Sequence, residues 1–165
     1  PDLKMILAPR HFHWMNELET KIKTENISYF MWTTQNSITD DIFNSNDLLI
    51  VCKLGELFNL YKMCNIFYLG GTFVNIGGHN LLEPAVWSKA CIIGPYHQNT
   101  QNIADQLQNA GGLIKVENFE QLLTQSQNLL SNQDLCIKMG SLNFEWLENQ
   151  VVHVQASIKN ILNKI

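Results

Sequence analysis

The chain has 165 residues, 45% of them hydrophobic and 16% charged, a balance typical of a folded globular protein of one domain's length. Its formal charge of −4 and its isolated lysines exclude the broad basic face of a nucleic-acid-binding protein. No apolar run approaches the roughly 20 residues that span a bilayer. The chain opens on Pro1 without an initiator Met or a signal-like segment, and we expect it to be one lobe of a longer protein.

Short apolar runs alternate with amphipathic or polar segments in the first third of the chain, a pattern typical of buried strands joined by helices. Trp14, Leu18 and Ile22 recur at four-residue spacing and predict one amphipathic helix. The predicted elements are a strand at 3–8, a helix at 11–25, a strand at 27–33, a polar connection at 34–46 and a strand at 48–52.

The same alternation continues to the C-terminus. The predicted elements are a helix at 55–64, a strand at 66–69, a glycine-rich segment at 70–80, a helix at 82–89, a strand at 90–93, a helix at 99–109, a strand at 113–116 and helices at 118–130, 133–148 and 150–163. Six such strands predict an α/β fold, a single Rossmann-like parallel sheet with helices on both faces. In such sheets ligands bind beyond the carboxyl ends of the strands.

Four cysteines lie far apart with no C-x-x-C pair, and three of them fall inside apolar runs. This pattern favours reduced core thiols over a disulfide or a zinc site, and it indicates a cytosolic compartment. The cysteines are Cys52, Cys64, Cys91 and Cys136.

The segment from Gly70 to Asn80 carries the strongest functional signal in the sequence. Four glycines between a strand and a helix let backbone N–H groups approach an anion such as a phosphate. The spacing matches neither the dinucleotide fingerprint nor the Walker pattern. The alternative is that the glycines serve only a tight turn and close packing.

Glu83, at the start of the next helix, could accept hydrogen bonds from both hydroxyls of a ribose. The alternative is helix capping, in one of two forms. Asn80 and Glu83 have the spacing of a capping box, whereas a helix with Pro84 as its first residue would make Glu83 the N-cap.

Arg10 is the only arginine of the chain and follows the first predicted strand, where its guanidinium could hold a phosphate or a carboxylate beside His11. The alternative for Arg10 is a surface salt bridge. His11 and His13 would point to different faces of a helix, which disfavours a metal site. The Gly55 N–H could meet a ligand, with Glu56 stabilising the helix dipole. No nucleophile elbow or close carboxylate pair is evident, so the pattern indicates binding without a reaction centre.

From Gly70 to Pro84 the sequence resembles the 3-deoxy-D-manno-octulosonic acid (Kdo) transferases, which carry Gly-Gly-Ser/Thr, a short variable stretch and Gly-Gly-His-Asn-x-Leu-Glu-Pro. Pro9-Arg10-His11, Gly55-Glu56-Leu57 and Gly94-Pro95 occur in the family's order. The resemblance covers residues 3–117 well. It fails at 52–54, where the family commonly has Asp-Thr-Met, and at 96–100, where it has His-Thr-Phe-Asn-Phe.

The resemblance implies the C-terminal lobe of a two-lobed GT-B glycosyltransferase, which binds the cytidine monophosphate (CMP) part of CMP-Kdo without a cofactor or a metal. It further implies that the N-terminal lobe, which this chain lacks, carries the catalytic glutamate, the site for the lipid A precursor and a membrane-associating segment. The whole enzyme would then act at the cytoplasmic face of the bacterial inner membrane, and this lobe alone would bind but not catalyse.

By position, the resemblance gives Arg10 the phosphate, the Gly55 turn the base or sugar, the glycine-rich segment the phosphate cradle and Glu83 the ribose. Two other functions remain open: a GT-B lobe that uses another nucleotide sugar, and a non-enzymatic nucleotide-binding module. The substrate-binding residues implied are Arg10, His11, Gly55, Glu56, Gly71, Thr72, Gly77, Gly78, His79, Asn80 and Glu83.

Overall fold

The computed structural model describes residues 3–162, and side chains as far as residue 155. The chain divides into two compact units, one ending at Leu60 and the other beginning at Tyr61. Each unit holds three parallel strands covered by helices.

The first unit is built around strand β3, whose four apolar residues are all buried. β3 lies between β1 and β2 and pairs in parallel with both. Leu48 and Ile50 pack on one face against Met15 and Ile22, while Leu49 and Val51 pack on the other. The elements are β1 (Met5–Leu7), α1 (Met15–Thr24), β2 (Tyr29–Trp32), α2 (Asp40–Asn44), β3 (Leu48–Val51) and α3 (Leu57–Leu60).

The second unit is built around strand β5, which is also fully buried and lies between β4 and β6. Cys91 and Ile93 face α5, while Ala90 and Ile92 pack towards α6 and α7. The elements are β4 (Ile66–Leu69), α4 (Leu82–Val86), β5 (Ala90–Ile93), α5 (Gln101–Ala110), β6 (Leu113–Lys115), α6 (Phe119–Ser131) and α7 (Gln133–Leu162), with 3₁₀ turns at Tyr61–Met63 and Gln98–Thr100.

The predicted α/β class and all six parallel strands are confirmed, but the single six-stranded sheet is wrong. The strands form two three-stranded sheets, ordered β1–β3–β2 and β4–β5–β6. β3 and β5 each have both edges occupied by strands of their own unit. The alternation of strands and helices therefore gave the number of strands correctly, but it carries no information about which edges pair.

Several helix boundaries differ from the predictions. The helices predicted at 133–148 and 150–163 are one continuous helix, α7, as far as its described end at Leu162, because no glycine or proline interrupts residues 149–150. The polar connection at 34–46 contains the short helix α2, which Thr39 caps through its hydroxyl. The helix predicted at 55–64 shortens to α3 and a 3₁₀ turn.

Helix α7 approaches the sheet of the second unit so closely that two positions must be glycine. Asn143 is fully buried, and its Nδ2 donates to the carbonyl oxygens of Lys89 and Gly112, each at 2.8 Å. A Cβ added to Gly112 would lie 2.0 Å from Asn143 Oδ1, and one added to Gly140 would lie 1.9 Å from the Ser88 carbonyl oxygen. Side-chain amide and backbone together therefore fix α7 against the start of β5.

The four cysteines are free thiols, two of them buried. Burial raises the pKa of the Cys91 thiol to about 12, so this thiol is unreactive at neutral pH. Between residues 3 and 162 the structure has no helix that is both long and apolar enough to span a membrane.

Candidate functional site

The glycine-rich loop leaves the carboxyl end of β4 and is tied down at once by Thr72. The buried Thr72 hydroxyl donates to the Leu69 carbonyl oxygen (2.7 Å) and accepts from the Gly94 N–H (2.8 Å), just after β5. The Thr72 carbonyl oxygen accepts from the Tyr96 N–H at 2.9 Å. Thr72, predicted as a ligand contact, therefore uses its hydroxyl within the protein and holds the loop to the ends of two neighbouring strands.

Gly77 and Gly78 are buried, and both have a positive φ, of 93° and 66°. A Cβ on Gly78 would lie 2.7 Å from a methyl group of Leu69, and a Cβ on Gly77 would lie 2.7 Å from the side-chain nitrogen of Asn99. Gly71 also has a positive φ, of 77°, but has more space around it. Conformation and packing together therefore require glycine at 77 and 78.

The same stretch presents a row of free hydrogen-bond donors. Within the described part of the chain, the backbone N–H groups of Gly77, Gly78, His79 and Asn80 donate to no protein group. Free N–H groups are costly where the backbone is buried, as it is at the two glycines, unless a ligand or water accepts from them. Consecutive donors of this kind are suited to an anion. The side chain of His79 is exposed at the rim of the loop.

Asn80 immediately precedes Leu81, the N-cap of helix α4, and its side chain bonds to the first turn of that helix. Its Oδ1 accepts from the N–H groups of Leu82 (2.9 Å) and Glu83 (3.4 Å), and its Nδ2 donates to Glu83 Oε1 at 2.8 Å. The N-cap of α4 is Leu81, so the alternative with Glu83 as the N-cap is wrong. Asn80 and Glu83 do pair, but they do not form a capping box, because Glu83 bonds to the Asn80 side chain instead of its backbone N–H. Pro84 is the third residue of α4, where no backbone donor is needed.

Glu83 is half-buried, and its carboxylate lies near Tyr61 as well as Asn80. The Tyr61 hydroxyl lies close enough to feel its charge. The pKa of Tyr61 is raised far above its ordinary value, first by burial and then by the negative charge of Glu83. The bond from Asn80 holds the carboxylate in place before any ligand arrives.

Gln98 and Asn99 contact the glycine-rich loop, although the sequence analysis did not select them. Asn99 Nδ2 donates to the carbonyl oxygens of Ile76 (2.9 Å) and Gly78 (3.2 Å), and Gln98 Nε2 donates to Asn75 Oδ1 at 2.9 Å. Both lie in the 96–100 segment, where the sequence departs from the Kdo transferase pattern. The position of this segment, after a strand at the same sheet edge, could have pointed to them. Asn99 also coincides with the Asn of the family's His-Thr-Phe-Asn-Phe, although neither signal gives its partners.

The candidate residues of the first unit follow β1 and β3, which are neighbouring parallel strands, so they lie at one edge of that sheet. Arg10 is exposed and forms no ion pair with any described residue, so the salt-bridge alternative is not observed. Gly55 has φ 86°, and Glu56 forms a salt bridge with Lys53 at 2.8 Å. The backbone carbonyl oxygen of Glu56 also accepts from the N–H of Leu60 at the start of α3.

The predicted helix start at His11 is wrong, because α1 begins at Met15. His11 and His13 therefore lie in the loop before α1 and not on different faces of a helix. Their ring centroids are 6.1 Å apart. Among the described residues, no group of three or more His, Cys, Asp or Glu side chains could hold a metal ion.

Comparison with characterised proteins identifies relatives of the chain. No family model matches it. It is 36% identical over 129 residues to the 3-deoxy-D-manno-octulosonic acid transferase of Aquifex aeolicus, a match that covers 78% of the chain and 34% of that protein. It is 30% identical over 163 residues to the transferase of the same name from Rickettsia prowazekii, covering 99% of the chain and 33% of that protein. The chain is a homologue of the Kdo transferases.

Two other matches bear on the fold and on the extent of the relationship. A bifunctional glycosyltransferase/methyltransferase of Fusobacterium nucleatum is 32% identical over 163 residues, covering 98% of the chain and 25% of that protein. The crystal structure of the C-terminal CMP-Kdo binding domain of WaaA from Acinetobacter baumannii superposes with a TM-score of 0.77 at 23% identity, over 88% of the chain and 74% of that domain. The chain thus shares the fold of this domain. It spans about a quarter to a third of the length of the Fusobacterium, Aquifex and Rickettsia proteins.

Proposed function

We propose that the chain is the donor-binding lobe of a Kdo transferase and that it binds CMP-Kdo through the CMP moiety. The row of free N–H groups from Gly77 to Asn80 carries the proposal. It lies at the carboxyl end of β4, where α/β proteins bind their ligands. The names of the relatives and the fold shared with a CMP-Kdo binding domain supply the ligand.

The chemistry of Kdo transfer suits such a loop. When CMP leaves the sugar, negative charge develops on its phosphate, and fixed N–H donors stabilise that charge without having to reorganise. The preoriented Glu83 carboxylate accepts hydrogen bonds from the ribose hydroxyls. Arg10 and His11 are assigned to the phosphate, and the Gly55–Glu56 turn to the base or sugar, on the family resemblance.

The remaining functions belong to the whole protein. Its relatives are three to four times longer than the matched stretch, and we propose that the rest of the protein holds the lipid A precursor and the catalytic glutamate. The complete enzyme would transfer Kdo at the cytoplasmic face of the inner membrane, in lipopolysaccharide synthesis. The membrane would be contacted through that other lobe.

The test is an NMR titration of the chain with CMP, UMP and AMP. We expect shifts centred on Gly77 to Glu83, with CMP bound most tightly. Glu83→Gln should raise the Kd for CMP about tenfold, because one charge-assisted hydrogen bond is weakened. Glu120→Gln is the matched control, since Glu120 also lies in the first turn of a helix to which an Asn side chain bonds, but is exposed.

Arg10→Ala should weaken CMP binding to a similar extent, with the exposed Lys138→Ala as its charge control. Equal binding of the three nucleotides would reduce the site to a general phosphate cradle. No response to millimolar CMP would refute the proposal.

A further inference from the structure

Residues 97–100, here called the platform, lie beside the glycine-rich loop and are held by hydrogen bonds to one another and to Gly94. His97 is buried, and its Nδ1 lies 2.9 Å from the Gly94 carbonyl oxygen. Thr100, also buried, donates to the His97 carbonyl oxygen through its backbone N–H (2.9 Å) and its hydroxyl (3.3 Å). Because β5 ends at Ile93 and helix α5 begins at Gln101, the platform lies in the short connection between this strand and this helix.

From this platform one amide group reaches two carbonyl groups of the loop. Asn99 Nδ2 has two hydrogens, and both are used, on Ile76 O and Gly78 O. These two carbonyls flank Gly77, so the bonds bridge the positive-φ turn. Gln98 adds a bond to Asn75, one residue earlier.

The loop is shaped to receive this amide. A Cβ on Gly77 would lie 2.7 Å from Asn99 Nδ2 and 2.9 Å from Asn99 Cγ, so any side chain at 77 would displace Asn99. Inside the loop itself, residues 74–78 form one backbone hydrogen bond with one another, from the Ile76 N–H to the Val74 carbonyl oxygen. The conformation that carries the free N–H groups therefore depends on support from outside the loop.

We propose that Asn99, assisted by Gln98, is a positioning residue that holds the backbone N–H groups of Gly77 and His79 ready for the phosphate of the donor. The proposal rests on the proposed function for its ligand. Asn99 acts through its hydrogen bonds to Ile76 O and Gly78 O, because the planar peptide groups that carry these two oxygens also carry the Gly77 and His79 N–H groups. Holding these groups before binding lowers the entropic cost of binding the phosphate.

The test compares Asn99→Ala with Asn102→Ala, an exposed asparagine three residues on whose side chain bonds only to Gln106 within the described chain. In the ligand-free chain, backbone order parameters at 75–78 should fall from about 0.85 towards 0.6 in Asn99→Ala and stay unchanged in Asn102→Ala. The Kd for CMP should rise about tenfold in Asn99→Ala, since two hydrogen bonds that hold the loop are lost.

Cytidine, which lacks the phosphate, distinguishes a role of Asn99 in positioning the phosphate-binding N–H groups from a general loss of order in the loop. Its binding, followed by the same NMR signals, should be unchanged in Asn99→Ala. Equal loss of CMP and cytidine affinity, or a loop already flexible in the unaltered chain, would overturn the positioning role. Unaltered CMP binding in Asn99→Ala would overturn it too, while leaving the proposed function intact.

Gly77→Ala tests the contact between Gly77 and Asn99 by changing the glycine instead of the asparagine. Because its Cβ would displace the Asn99 amide, the double variant with Asn99→Ala should lose less CMP affinity than the sum of the two single losses. Strict additivity would contradict the contact as described. If the unaltered chain does not bind CMP at all, the proposed function fails and the ligand role of Asn99 fails with it.

Discussion

Gly94 offers a direct test of how the glycine-rich loop is attached to the sheet. A Cβ at this position would lie 2.5 Å from the Thr72 carbonyl oxygen and 2.8 Å from its carbonyl carbon. To bring the Cβ from 2.5 Å to even 3.0 Å from the Thr72 carbonyl oxygen, the two backbones must part by about 0.5 Å. The φ of Gly94 lies outside the left-handed region, so the effect of Gly94→Ala is steric and not a matter of backbone strain.

The expected loss of stability can be worked out from these contacts. Overpacking costs about 1–3 kcal/mol. Separation also weakens two hydrogen bonds, Gly94 N–H to Thr72 Oγ1 and Tyr96 N–H to Thr72 O, each contributing about 1 kcal/mol. We expect Gly94→Ala to lower the free energy of unfolding of the second unit by about 3 kcal/mol.

The assay is a urea titration followed through the amide signals of β5, with Gly70→Ala as control. Gly70 belongs to the same loop, but a Cβ there meets no atom within 4 Å and its φ is not positive. The control should therefore change stability by no more than about 0.5 kcal/mol. If Gly94→Ala matches the control, the attachment of the loop through Thr72 is refuted.

Two further predictions concern titrating groups. In a spectrophotometric titration Tyr61 should ionise at a pH well above the pKa of ordinary tyrosines. Glu83→Gln should lower the pKa of Tyr61 only in part, because burial is the larger cause of the shift. An unchanged pKa would show that the Glu83 charge does not act on Tyr61. The pKa of Asp47 is lowered chiefly by the Ser28 hydroxyl, so its contribution to stability is present above pH 3.8 and is lost as the pH falls through its folded pKa. Ser28→Ala should raise that pKa in an NMR titration, and an unshifted value would contradict the bond.

The fold class could be predicted because it depends on local patterns. β3 and β5 are runs of four apolar residues, and their complete burial follows from that composition. The division into two sheets could not be predicted in the same way, since it depends on which strand edges meet across long stretches of chain. The continuity of α7 was missed because polar residues at 149–150 resemble a boundary although they are compatible with a helix.

The candidate site shows the same contrast. The glycine-rich loop was recognisable from its composition, and the link between Asn80 and Glu83 from their spacing. The contribution of Asn99 was not, because its partners are backbone carbonyl groups 21 and 23 residues earlier and leave no mark on the local sequence. The buried role of Thr72 likewise depends on Gly94, which lies 22 residues away.

The attachment of α7 has a consequence for the order in which the protein is made. The carbonyl groups of Lys89 and Gly112 receive their hydrogen bonds from Asn143, which the ribosome adds 54 and 31 residues later. Contacts of such long separation form late, and domains fold as units as the chain emerges. A nascent chain arrested before Asn143 would therefore expose the start of β5. All three strands of the sheet that holds the glycine-rich loop would be synthesised, but the sheet would still lack its attachment to α7.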